Sequence, residues 1–183
     1  MESPTSTYPQ ITKILHTSLI ALIVIEFFTA LVAPQLSGGM SPGAIVSLHF
    51  SFGLVILPLA AALIGMRYAA GNEGPGSDPL TQLVANVGHY ALYALLIITP
   101  FAGLLWADSR GWEVSLFGFI ALPAIVGVGS GIGRIFGELH AFFAAIIGLL
   151  ALGHIAGALY SRFIASSLGQ YVGNNSSPQG EQG

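Results

Sequence analysis

The sequence contains no cysteine. Disulfide bonds and thiolate-held zinc or iron–sulfur centres are therefore excluded. Charge is almost as scarce: Asp, Glu, Lys and Arg make up 7% of the 183 residues, against 54% hydrophobic. A soluble domain of this size has more surface than so few charges can cover. With a mean hydropathy of +0.78, the natural solvent of the chain is lipid. The formal net charge of −3 comes from few groups and there is no basic run, so nucleic acid is not expected as a partner. A basic leader is missing too. Residues 1–10 are polar and carry Glu2, and do not read as a cleaved signal peptide.

What the sequence does have is long apolar runs. A bilayer core about 30 Å thick needs about 20 apolar residues in a helix. Stretches at 11–32, 45–66, 83–106 and 135–160 meet this length, ending before Pro34, at Arg67 and Tyr68, at Asp108 and at Arg162. The connector at 34–43 is rich in Gly, Ser and Pro, and that at 71–79 holds Glu73, Pro75 and Asp78. The expected architecture is all-α: an integral membrane four-helix bundle forming one domain over residues 1–170, with a polar, disordered tail at 171–183. Residues 112–133 are apolar but carry Pro123 and five glycines, at 118, 127, 129, 131 and 133. They read as a partly buried cap at the membrane surface rather than a fifth span. The glycine-rich run around residue 130 follows no βαβ strand, so it is not a dinucleotide loop. Lys13, Arg67 and Arg162 fall on one side of the membrane and Arg110 and Arg134 on the other, close to Asp108, Glu113 and Glu138. This slight excess favours a cytoplasmic N-terminus.

All five histidines, His16, His49, His89, His140 and His154, lie in or at the edges of the apolar runs. Ionisable groups inside a membrane are costly and usually functional. One histidine alone would read as an interhelical hydrogen-bonder; five together are hard to explain that way. A neutral imidazole is an axial ligand of b-type haem. His16 and His89 sit about one turn inside the first and third spans, which enter from the same side; His49 and His140 sit at the same depth on the other side. His154 follows His140 by 14 residues. That separation returns to within about 40° of the same helix face and moves about 21 Å along the axis. The last helix thus presents an imidazole near each membrane surface, as two stacked haems require. The outer haem is expected between His49 and His140, and the inner one between His154 and either His16 or His89. Gly53, one turn after His49, with Gly88 and Gly148, would give a flat porphyrin space between helices.

The segments QITKILH, LHFSFG, GHYALYALLIITPFAGLL, LFGFIALP and LHAFFAAIIGLLALGH run through the chain from about residue 8 to 162. With the 14-residue histidine pair, they resemble the bacterial cytochrome b561 family, small four-helix di-haem cytochromes that include superoxide oxidase. The resemblance implies that His16 and His154 hold the inner haem iron and His49 and His140 the outer, with two haem b as cofactors. It implies that His89 lies beside the inner haem or a quinone. Arg67 is a candidate propionate contact, but members often carry a further Arg one turn earlier, where this chain has Leu63. Glu26 has no expected counterpart, and reads as a carboxyl bonded to a neighbouring helix rather than as a proton or quinone contact.

Two axial imidazoles leave iron no open position, so such a haem transfers electrons at its edge. The expected function is electron transfer in the bacterial inner membrane from superoxide, or a similar one-electron donor, to ubiquinone. Membrane lipid, quinone and the donor are then the partners. No side chain is singled out as catalytic; Arg134 and Arg110 are candidates for steering an anionic donor. The alternative is a carrier subunit taking electrons from a dehydrogenase or hydrogenase. Pro100 is expected to kink the third span, and Trp106 and Trp112 to stand in an interfacial aromatic belt.

Overall fold

A computed structural model describes residues 7–32, 43–70, 79–160 and 163. Arg162 and the tail at 171–183 lie outside the described residues, as does the body of both connectors. Four helices run in order: α1 (Thr7–Val32), α2 (Ala44–Ala70), α3 (Pro79–Ser109) and α4 (Ile132–Leu159). All four are long and apolar enough to cross a membrane. At 26 to 31 residues each they rise about 39 to 47 Å, more than a bilayer core of about 30 Å.

The helices are longer than the apolar runs for local reasons. α3 begins at Pro79, four residues before the run, because a proline without an N–H suits a first helical turn. α4 begins at Ile132 and absorbs Gly133, whose missing side chain lets α3 approach at Ser109. Gly137 does the same one turn on: a Cβ there would stand 2.8 Å from Trp106 Nε1. Such small residues let membrane helices pack closely. Pro58 and Pro100 lie inside α2 and α3 without ending them.

α1 packs on α2, α2 on α3 and α3 on α4, whereas no Cα of α4 comes within 8 Å of α1 or α2 among the described residues. One core cluster, Leu19, Ile56, Ala60, Leu63, Leu96 and Ile147, takes residues from every helix. Leu63 is thus a core residue. Outward faces are apolar: Leu31 is 84% exposed and Leu149 71%. Water-facing surfaces do not look like this; lipid-facing ones do.

Between α3 and α4 the chain forms a two-stranded antiparallel hairpin, β1 (Ser115–Leu116) and β2 (Ile120–Ala121). Trp112 and Val114 bury beneath it with Val46 and Ala107. Trp112 is therefore a core residue and not the lipid-interface anchor expected from sequence. Ser51 of α2 is fully buried; its hydroxyl donates to the Ser47 carbonyl (2.8 Å) and accepts from the Phe117 N–H (2.8 Å). Phe117 is the one described non-glycine residue with a positive φ, so Ser51 pins the strained tip of the hairpin to the bundle.

Asp108, buried at the end of α3, accepts hydrogen bonds from the backbone N–H groups of Ile125 and Val126. Gly129, in the left-handed region at φ 76°, donates its N–H to the Ser109 carbonyl (2.8 Å), and so fixes the turn into α4. Asp108→Ala leaves two amides without their acceptor. We expect it to destabilise the protein by about 2–3 kcal/mol, seen as a lower thermal midpoint in detergent, with Asp108→Asn losing less because it keeps an acceptor oxygen.

Candidate functional site

α4 carries His140 and His154 on nearly one face, and each ring meets a ring from another helix. His154 faces His16 of α1 with ring centroids 6.0 Å apart, and His140 faces His49 of α2, also at 6.0 Å. These pairs bridge the two helix pairs, α1/α4 and α2/α4, whose backbones stand apart. Two imidazoles that bind one metal ion through bonds of about 2 Å place their ring centres at about this separation. No group of three or more His, Cys, Asp or Glu able to hold a bare ion occurs among the described residues. Each pair thus suits a metal whose remaining ligands come with it, as in a porphyrin.

The hydrogen bonds around the α2/α4 pair fix which nitrogen is available. His140 Nδ1 lies 2.9 Å from the Thr99 carbonyl, which can only accept. Nδ1 therefore carries the proton and Nε2 keeps its lone pair. His49 Nδ1 lies 2.7 Å from Glu26 Oε2 and 3.1 Å from Thr29 Oγ1. Thr29 spends its own hydroxyl proton on the Ile25 and Glu26 carbonyls, at 2.9 and 3.0 Å, so it too accepts from His49. Both histidines are thereby held as donors through Nδ1, with Nε2 free to ligate.

This pair borders a cavity of about 440 Å³, within the usual range of ligand sites. Glu26, His49, Gly53, Gly103, Arg110 and His140 are among its walls. Gly53 faces Glu26, which a Cβ would meet at an ordinary 3.6 Å. Gly103 is more demanding: a Cβ there would stand 2.8 Å from His140 Nδ1 and 2.9 Å from its Cε1. Glycine is what lets α3 offer the Thr99 carbonyl to His140 without displacing the ring. Arg110 holds its guanidinium 4.8 Å from the Trp112 ring centre and 5.8 Å from that of Trp106. Arg134 is not part of this arrangement. Its side chain is 86% exposed on α4, 3.9 Å from Glu138.

At the opposite end, the ring of His89 sits edge-on to His154 with centroids 4.8 Å apart, and its Nδ1 lies 2.6 Å from the Ala85 carbonyl. That is closer than the separation of either facing pair. Tyr93 lies 6.3 Å from His89 between ring centres. Arg67 donates to Asn86 Oδ1 (2.6 Å) and lies over the Tyr90 ring. No side-chain atom crowds Gly88, whereas Gly148 faces Phe27.

Sequence reasoning missed Thr29, Asn86, Thr99 and Gly103, and did not connect Glu26 with His49. The i, i+3 spacing of Glu26 and Thr29 places both on one helix face, a signal that was available. Nothing in the sequence marks Thr99, because its backbone carbonyl rather than its side chain is used.

Comparison with known proteins identifies the family. The family profile described as prokaryotic cytochrome b561 matches residues 7–169. Cytochrome b561 homolog 2 of Escherichia coli (strain K12) is 30% identical over 137 residues, 73% of either chain. The Probable superoxide oxidase CybB of Yersinia pestis is 36% identical over 75 residues, 40% of this chain and 43% of that one. No solved structure matches the chain. A profile covering nearly the whole chain, joined to four membrane-length helices, shows that this protein belongs to the prokaryotic cytochrome b561 family, multi-pass bacterial membrane proteins that bind haem b and transfer electrons.

Proposed function

We propose that the chain holds two b haems, one between His16 and His154 and one between His49 and His140, and passes electrons from superoxide to ubiquinone. The observation that carries the two-haem reading is the repeated 6.0 Å facing of imidazoles at both ends of one bundle. The 4.8 Å contact of His89 with His154 is too short to admit an iron between them, which favours His16 as the partner and leaves His89 at the haem edge or a quinone. A bis-histidine b haem supplies reversible one-electron transfer at its edge.

The protein's own groups position and select. His140 and His49 are oriented through Nδ1, and Gly53 and Gly103 keep the cavity wall thin beside them. Arg110, stacked between two tryptophans at that wall, places a fixed positive charge where an anion would approach or a propionate would lie. At the other end Arg67, anchored by Asn86, offers the equivalent charge for a propionate. Superoxide as donor is supported by the partial likeness to the Yersinia pestis protein. Two superoxide ions each give up one electron and leave as oxygen; one ubiquinone takes both electrons with two protons and leaves as quinol. A cytoplasmic N-terminus would put the hairpin, with its exposed Phe119, against the outer bilayer surface. Lys13 and Arg67 balance Arg110 and Arg134, so that charge preference rests on Arg162.

Stopped-flow mixing of the haem-loaded protein with superoxide and a soluble quinone tests this. Rapid haem reduction followed by quinone-dependent reoxidation is the expected result. Haems inert to superoxide would move the function to a carrier fed by a redox protein. Within the proposal, Arg110→Gln should lower the superoxide rate roughly tenfold and flatten its dependence on ionic strength. Arg134→Ala, already screened by water and by Glu138, should change it far less. Equal effects of the two would remove Arg110 from the steering role.

A further inference from the structure

The two histidines at the hairpin end have unequal partners. His140 donates to a neutral backbone carbonyl, whereas His49 donates to a carboxyl oxygen at 2.7 Å. Glu26 is costly to bury in a membrane helix, its side chain being 13% exposed, and its other oxygen, Oε1, is buried without a hydrogen-bond partner. Its placement is over-determined. Thr29, buried one turn along α1, bonds back to the Glu26 carbonyl and shares His49 Nδ1. Gly53 of α2 faces Oε2, and a Cβ there would lie in ordinary contact with it at 3.6 Å. A residue serving only to join α1 to α2 would not need to sit on the nitrogen opposite the ligating one.

We propose that Glu26 is a positioning residue for the haem held by His49 and His140: by accepting from His49 Nδ1 it fixes the ring's orientation and makes it a stronger electron donor to iron, so that this haem is held at a lower potential than the other. The inference rests on the two-haem reading above. A carboxylate behind an axial histidine pushes electron density onto the ring and favours the ferric state; a carbonyl does so much less. The chain thus carries a built-in asymmetry between its ends, since the ion pairs among the described residues put a carboxyl on His49 and on no other histidine. A low-potential haem at one end and a higher one at the other sets a downhill direction for electrons entering at the hairpin end.

The test is a redox titration of detergent-purified, haem-loaded protein, with electron paramagnetic resonance of both ferric signals, for wild type, Glu26→Gln, Glu26→Asp, Glu26→Ala and Thr29→Val. Glu26→Gln, which keeps an acceptor but not the charge, should shift one haem toward the ferrous state by about tenfold, about 59 mV for one electron. The same haem's low-spin signal should move, and the other haem should change in neither respect. Glu26→Asp should recover most of the shift and Thr29→Val should give a smaller one. If Glu26→Gln loses that haem, Glu26→Asp is expected to retain it; loss as complete in Glu26→Asp as in Glu26→Ala overturns the proposal. Unchanged potentials and signals in both Glu26→Gln and Glu26→Ala, in a protein that still binds two haems, also overturn it. A His49→Ala variant with the same haem content as wild type would instead defeat the two-haem reading, and the two failures are separable.

Discussion

Replacing His140 with alanine is expected to remove one haem of two and to leave the other with its spectrum and potential nearly intact. The reason is geometric. His140 meets only His49 among the histidines, while His154 meets His16 and His89 at the far end of the same helix. Under the two-haem proposal one imidazole would then be left to hold the iron, and loss of a protein ligand generally costs far more than loss of a partner behind it. His154→Ala should remove the complementary haem, and the double variant both. Haem-to-protein ratios by pyridine haemochrome check this. Folding should survive, because neither ring belongs to the apolar core of Leu19, Ile56, Ala60, Leu63, Leu96 and Ile147. Loss of both haems from either single variant would mean that the ends are not independent.

The second large effect is expected from a single methyl group. Gly103→Ala puts a Cβ 2.8 Å from His140 Nδ1, inside van der Waals contact and on top of the hydrogen bond to Thr99. The ring must swing or α3 must retreat, and either misplaces Nε2. We expect most of the hairpin-end haem to be lost while the other is retained. Helix propensity argues the opposite way, since alanine is about 1 kcal/mol better than glycine within a helix, so a loss cannot be blamed on a weakened α3. Gly65→Ala on α2 is the control: nothing stands within 4 Å of a Cβ there, and no loss of haem should follow.

Much of this arrangement is legible in the sequence because lipid simplifies the problem. Where every backbone group must be satisfied internally, a run of about 20 apolar residues can only be a helix. Four such runs give the bundle, and their alternating direction gives the depth of each histidine. The 14-residue step from His140 to His154 then survives into three dimensions because a long helix preserves angle and rise. The choice between His16 and His89 was not available from depth, since both enter from one side; it depends on lateral placement, which only helix packing determines. The hairpin was hidden for a different reason. Strands of two residues carry no periodicity, and the contacts that hold residues 115–121, from Ser51 and Trp112, come from far away in sequence. Glu26, expected from sequence to bond to a neighbouring helix, does so, but its partner could not be named. As an isolated acid in an apolar run it has no sequence partner, and its meaning appears only when α2 brings His49 to it.

Each end of the bundle is proposed to hold one six-coordinate b haem. The measurement that tests it most directly is a haem count on purified wild-type protein, combined with reduced-minus-oxidised spectra and exposure of the reduced form to carbon monoxide. Two haems per chain are expected, both low-spin and both unreactive to carbon monoxide, because two imidazoles would occupy each iron. One haem per chain, or a haem that binds carbon monoxide readily, would contradict it.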